Sequence, residues 1–296
     1  MPFIGEFSAL VTAFMWSGTA IVFSEATRRV GTIQVNITRM LIALIFLVGT
    51  VFLLGLDYGM SRQQVLNLTW SGIIGLVLGD TFLFRAFKDI GPRISMLVMS
   101  LVPAITAVLG WFFLAETLSL PGIAGMTITI MGITMVILDR QPAASVRYRV
   151  TPKGLAFAIL GASGQATGLI FAKFALNESP LHGMVATTVR IAAAVVLFLP
   201  AAYLFKRYKN PFTVYSRDPK ALGYTTAGAF MGPYLGITFS LVAITHTKVA
   251  IATTIMALPP IIMLPLVYFL YRERLSQRAV IGAFIAVSGV SLLFLR

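Results

Sequence analysis

The sequence contains no cysteine and only two histidines, His182 and His246. The first absence removes disulfides, thiolate metal sites and cysteine nucleophiles, and the second removes a histidine-rich metal cluster. Charge is scarce as well: 11% of the 296 residues are Asp, Glu, Lys or Arg. A soluble domain carries about 25%, because water must wet its surface. No basic segment precedes the first apolar run in "MPFIGEF", so the chain does not open like a cleaved signal peptide. The sequence has no G-x-x-x-x-G-K-[ST], H-E-x-x-H or G-x-S-x-G run, and neither histidine falls inside an apolar span. P-loop nucleotide hydrolysis is thereby excluded, and an intramembrane hydrolase or acyl transferase would lack its nucleophile or metal.

What the chain does have is apolar length. Hydrophobic residues make up 58% of it, and they come in runs near the ~20 residues a helix needs to cross about 30 Å of hydrocarbon. Polar and Gly/Pro punctuation delimits ten such runs, at about 5–26, 33–55, 70–88, 93–114, 120–139, 153–176, 183–205, 221–244, 249–271 and 277–295. The expected fold is an all-α integral membrane protein. The third run holds Asp80, with Arg85 and Lys88 near its end, and the eighth is broken by Gly232-Pro233. Such interruptions are tolerated where a helix faces protein or a wet cavity rather than lipid.

The second half repeats the first. Residues 72–139 align without a gap on 229–296, 157 places later. The alignment pairs Gly75 with Gly232, Gly79 with Gly236, Pro103 with Pro260, Glu116 with Glu273, Ser119 with Ser276, Gly125 with Gly282 and Gly132 with Gly289. Phe23 falls opposite Phe171 and, after an insertion in the second copy, Arg39 falls opposite Arg190. The expected organisation is a five-helix repeat over 1–139, a linker over 140–152 and a second five-helix repeat over 153–296. Five crossings per copy make the second copy run through the membrane in the opposite sense, the inverted repeat of secondary transporters, with substrate near the midplane between the halves.

Ten helices in a five-plus-five repeat, "MWSG" in the first helix, an arginine early in the second and seventh, and the "LAETLS" and "YRERLS" turns resemble the EamA-type members of the drug/metabolite transporter superfamily. The resemblance covers nearly the whole chain on short motifs. It implies a ten-helix carrier around a central cavity, similar to exporters of aromatic or neutral amino acids and other metabolites; relatives carry nucleotide sugars or triose phosphates. The expectation is therefore a secondary exporter of small polar metabolites, amino acids first, in a bacterial or archaeal cytoplasmic membrane. Alternatives are a carrier of drugs, nucleotide sugars or phosphorylated metabolites, a channel, or an intramembrane enzyme. The expected partners are a small-molecule substrate and membrane lipid, with no nucleic acid, no cofactor and no metal, and a monomer as the assembly.

Asp80 is the sharpest candidate for the site, because a carboxylate in mid-membrane costs roughly 2.5–3.5 kcal/mol on insertion scales, and its repeat mate is the apolar Ile237. It either binds a substrate amine or carries a proton, or it serves as the structural partner of Arg85 or Arg39. Trp16 and Ser17 lie inside the first helix, and "GASGQATG" in the sixth supplies Ser163 and Gln165 on a face too polar for lipid. Phe84, Met99 and Tyr234 complete the expected substrate-binding set. Glu25 and Lys173 occupy matching places with opposite charge, and read either as gates or as groups snorkelling to the interface. Pro103, Pro259, Pro260 and Pro265 remove backbone donors inside the fourth and ninth helices and suggest kinks or hinges. Arg39 and Arg190 are expected to reach headgroups or loop carbonyls. Glu116 and Glu273 are expected to shape turns, just before Ser119 and Ser276 as N-caps.

The net charge of +13 is explained by loops rather than by nucleic acid. Connections 1–2, 3–4, 5–6, 7–8 and 9–10 hold most of the Lys and Arg, against Arg62, Lys173, Lys248 and Arg296 on the other side. The positive-inside rule then turns both termini outward, whereas the family resemblance implies cytoplasmic termini.

Overall fold

The computed structural model describes residues 3–138, 151–262 and 276–294. The described backbone is helical, with no strand among the described residues. Its elements are α1 (Ile4–Val30), α2 (Thr32–Leu53), α3 (Arg62–Ser71), α4 (Asp80–Met99), α5 (Val102–Leu114), α6 (Leu120–Leu138), α7 (Pro152–Glu178), α8 (Gly183–Leu204), the short α9 (Pro211–Arg217), α10 (Pro219–Ala229), α11 (Ile237–His246), α12 (Val249–Met256) and α13 (Gln277–Phe294). Eight helical rods among the described residues are long and apolar enough to span a bilayer. The shorter apolar Val249–Ile262 and the 27-residue α1 stand at the places of the two other expected crossings.

Two irregularities recur at the repeat spacing. A π-helical stretch, Gly72–Gly79, joins α3 to α4, and another, Phe230–Gly236, joins α10 to α11. A π turn inserts an extra residue into the ladder, a feature enriched at functional sites. The second irregularity is at the prolines, where the helical ladder is interrupted for a residue or two within a single rod, at the places where kinks are expected. The α4 ladder ends at Ser100, whose N–H bonds to Met96 O and Leu97 O, and α5 restarts with Pro103 at its first turn. There the missing N–H of proline costs nothing. In the second copy α12 ends at Ala257, and helical backbone resumes at Pro259-Pro260. Between the spans Arg62–Ala86 and Ile94–Leu114, which bracket the boundary expected at 88–93, the backbone of α4 stays helical. Pro265 and Glu273 fall outside the described residues, as does most of the expected linker. Ser119 Oγ accepts from Gly122 N–H at 3.3 Å and Ser276 Oγ from Ala279 N–H at 3.1 Å, matching caps in the two copies.

Packing interleaves the two halves of the sequence. In the first half α1 packs on α10, α11 and α12 of the second, and α7 of the second half packs on α3, α4 and α5 of the first. Helices in lipid gain little hydrophobic energy from each other, so close van der Waals approach through small residues holds them together. The α6–α13 seam shows this most clearly. A side chain on Gly132 would press on the Gly282 carbonyl oxygen at 2.5 Å, and one on Gly125 on that of Gly289 at 2.8 Å. The crossed contacts make α6 and α13 antiparallel. Thr129 donates to Gly125 O at 2.7 Å and lies 3.5 Å from Ala286 O, the residue 157 places later. Mates that touch mark the pseudo-two-fold axis, which passes between α6 and α13 at this level. Large side chains such as Phe52, Phe112, Leu120, Val196 and Phe284 are exposed on the periphery, where lipid would solvate them.

Candidate functional site

The buried polar centre is assembled by the first π stretch. Asp80 N–H bonds back to Gly75 O, five residues earlier, at the end of that stretch. Against it lies α7, so close that a side chain on Gly164 would come within 2.8 Å of Gly79 Cα, and one on Gly168 within 2.8 Å of Gly75 Cα. Only glycine permits this approach, and it brings Gln165 into reach: its Nε2 donates to Asp80 Oδ1 and lies 3.4 Å from Gly75 O.

From the other side α2 delivers Arg39, whose guanidinium pairs with Asp80 Oδ2 and whose Nε donates to Asn36 Oδ1 at 2.9 Å. The guanidinium lies 5.0 Å from the ring centroids of both Phe23 and Phe84, which adds cation–π attraction in a dry setting. The Arg39 and Asp80 side chains keep only 11% and 9% of their exposure. A second arginine, Arg190, is 2% exposed. It faces Gly75 from α8 with Asp80 as its acidic neighbour. The centre thus holds two guanidiniums and one carboxylate.

Two further clusters mark the membrane faces. On one face Lys173 at the end of α7 donates to Ile244 O and Thr247 O, and its Nζ lies 4.0 Å from Glu116 Oε1. Glu116 Oε2 accepts from Val249 N–H at 2.9 Å, capping α12, and Thr247 donates to Glu6 at 3.2 Å. On the opposite face Glu25 pairs with Arg28 and Arg29, and Arg29 reaches Asp218 at 3.2 Å. Asp218 caps α10, and the Ala221 N–H, with Arg29 beside it, holds its carboxyl below the usual carboxylate range. A concavity of about 660 Å³ opens on this face, lined by Arg29, Gln34, Arg207, Lys209, Arg217 and Asp218 among others. It is a loop-level recess and does not include Asp80.

The model of the EamA-like transporter family matches residues 3–138 and 152–295. The chain belongs to the EamA-like transporter family. No curated protein matches this EamA chain. A solved structure described only as "Crystal structure of protein" superposes with a TM-score of 0.79 at 18% identity, covering 100% of this chain and 98% of that one. That likeness concerns the fold alone.

Of the residues expected in the EamA site, the structure brings together Asp80, Gln165 and Phe84. Ser163 is half-buried on α7, two residues before Gln165. Met99 lies beside Val102, Ala162 and Ala166 at the α4–α5 break. Trp16, Ser17 and Tyr234 are elsewhere. Trp16 wedges against Gly236 of the second π stretch. Ser17 is fully buried and gives its hydroxyl proton to Ala13 O at 2.6 Å. Tyr234 shares a hydrogen bond with Thr50 at 2.9 Å and packs on Phe46 and Phe230.

Several expectations change. Lys173 does not snorkel: it is 7% exposed and spent on carbonyls at the end of α11. Arg39 and Arg190 turn inward rather than to headgroups or loop carbonyls, because Asp80 offers a countercharge inside the bundle. Arg85 is half-exposed and faces Asp89 at 3.6 Å instead of Asp80. Glu116 acts across the fold as a cap for α12 rather than only within its own turn. The residues missed in the sequence were Asn36 and Phe23, which orient Arg39, and Arg190 as a member of the centre. The pairing of Arg39 with Arg190 in the repeat was the available signal for the last.

Proposed function

We propose that this EamA-family protein is a secondary carrier that exports small polar metabolites, amino acids first among them, by alternating access across a bacterial or archaeal cytoplasmic membrane. The observation that carries the reading is the Asp80 centre. A carboxylate, two guanidiniums and a glutamine amide converge inside the helix bundle, within an inverted repeat and beside a π stretch. Groups so costly to bury are retained in spanning segments chiefly where they serve a substrate or ion path. The chain supplies no nucleotide-binding loop, so a substrate or proton gradient would drive the cycle. Asp80 and Gln165 would receive the polar end of the solute, with Phe84 and Met99 as apolar walls. On one face the Lys173–Glu116–Val249 contacts are suited to act as a gate, and on the other the Glu25–Arg29–Asp218 contacts. The working unit would be a single chain in contact with lipid.

The test is a counterflow panel in proteoliposomes, with amino acids, nucleotide sugars and cationic drugs as solutes. Saturable, counterflow-stimulated uptake of an amino acid that is lost in Asp80→Asn is the expected result. Uptake that is linear in concentration would indicate a channel. Normal exchange by Asp80→Asn at every pH would remove Asp80 from the site.

A further inference from the structure

Arg39 and Arg190 are repeat mates, and each is the eighth residue of its helix, α2 and α8. They occupy the same place along their helices in oppositely oriented copies. Their surroundings nevertheless differ. Arg39 has Asp80, Asn36 and two aromatic faces. Arg190 is more deeply buried, and its Nε has no hydrogen-bond partner. Only one other buried side-chain polar atom among the described residues, Thr81 Oγ1, shares that condition. A buried guanidinium nitrogen without a partner is costly, and it leaves Arg190 with a donor that a carboxylate could take up.

The asymmetry arises from one residue. Asp80 has no counterpart, since the equivalent place in the second copy is Ile237. If the two halves of an inverted repeat exchange conformations, the environment of Arg39 becomes that of Arg190 and the reverse. A single carboxylate between them must then change partners. We propose that Asp80 is held by Arg39 in the conformation described here and by Arg190 in the opposite one, which makes Arg190 a positioning residue of the transport cycle. This rests on the carrier reading above.

The local geometry supplies the route. The Arg190 guanidinium lies against Gly75, where a side chain would come within 2.8 Å of its Nη2. Asp80 N–H is bonded to the carbonyl of that same Gly75 through the π turn. Asp80 and the point at which Arg190 meets its rod are therefore about one turn apart. Rewinding a π turn into an α turn changes the register of everything after it, which would re-aim Asp80 without unfolding the helix. The second copy has its own π stretch for the reciprocal change. Charge is conserved throughout: one carboxylate and two guanidiniums remain buried in both states, so no ion has to enter or leave.

The test uses the full chain in lipid nanodiscs. With no native cysteine, labels can be placed at Arg28→Cys with Lys153→Cys on one face and at Tyr58→Cys with Thr117→Cys on the other. Distances are then read by double electron–electron resonance. Arg190→Gln should shift the population toward the conformer described here by about tenfold, and Arg39→Gln should shift it comparably in the opposite direction, because each removes the favoured partner of one state. In an Asp80→Asn background both shifts should vanish, and Arg190→Lys should restore part of the wild-type distribution. Shifts in the same direction, no shift, or shifts that persist without Asp80 would each overturn the exchange. If instead the populations move as stated while counterflow fails for every solute, the pairing stands and the carrier reading falls.

Discussion

Replacing Asp80 with asparagine removes the carboxylate that faces two buried guanidiniums, whereas replacing Arg39 with glutamine leaves one charge of each sign. At a contact of about 3 Å and an effective dielectric near 20, the gross attraction of one such pair is about 5 kcal/mol. Desolvation offsets most of it, but deleting one member of a buried pair still costs about 3–5 kcal/mol, because its partner is left uncompensated. Asp80→Asn strands both Arg39 and Arg190 and belongs at the upper end of that range. Arg39→Gln leaves Asp80 with Gln165 and Arg190, which should reduce the loss to about 1–3 kcal/mol. The order of stabilities is therefore wild type, then Arg39→Gln, then Asp80→Asn. Converting both arginines to glutamine in the Asp80→Asn background should recover part of the loss, since no charge is then buried. Unfolding of the purified variants in detergent, followed by helical circular dichroism, measures the order. Equal losses for the two single variants, or a greater loss in Arg39→Gln, would refute the charge-count argument.

Four other outcomes are expected. Gly132→Leu should push α6 from α13, because its new side chain would meet the backbone at Gly282 and Ala286. Overpacking of this kind costs about 1–3 kcal/mol or more, and the nearby exposed Met131→Leu serves as the neutral control in the same melt. Glu116→Ala removes the cap on Val249 and should cost about 1 kcal/mol, with faster amide exchange at the start of α12. Lys173→Met leaves the Ile244 and Thr247 carbonyls without their donor and should cost about 1–3 kcal/mol, read in the same detergent melts. Asp218 has its folded pKa below the ordinary carboxylate value. Its contribution is then fully present above about pH 4 and is lost as pH falls through the lower folded value. Protection of the Ala221 amide, taken relative to its intrinsic exchange at each pH, should fall only across that acidic window, and should be flat there in Asp218→Asn.

The crossings, their two copies and the inverted sense of the second copy were all legible from run lengths and from matched Gly, Pro and Glu. Asp80 was legible because a carboxylate has few reasons to be in a spanning segment. Gln165 stood out as the one long polar side chain on a small-residue face. What the one-dimensional pattern hid was depth and facing. Trp16 and Ser17 looked like cavity residues by position, yet Trp16 fills the contact between α1 and the second π stretch and Ser17 bonds its own helix. The arginines looked peripheral because hydropathy counts each residue alone. Their inward turn depends on a partner 41 residues away in one case and on an approach across Gly75 in the other. Pro103 announced a disturbance, but whether it bends a helix or starts a new one depends on how the preceding turn closes.

By itself the sequence determined the solvent this protein lives in, the number of crossings and their symmetry. Those follow from hydropathy summed over ~20 residues and from an odd-numbered repeat, and neither needs side-chain geometry. The tertiary structure alone decided that α1 and α7 trade places between the halves, that α6 and α13 carry the axis, and that Asp80 takes Arg39 while Arg190 Nε stays unpaired. The physical reason is range. Burial in lipid is settled residue by residue, whereas an ion pair or a glycine contact acts over a few ångströms and exists only once distant helices have been brought together.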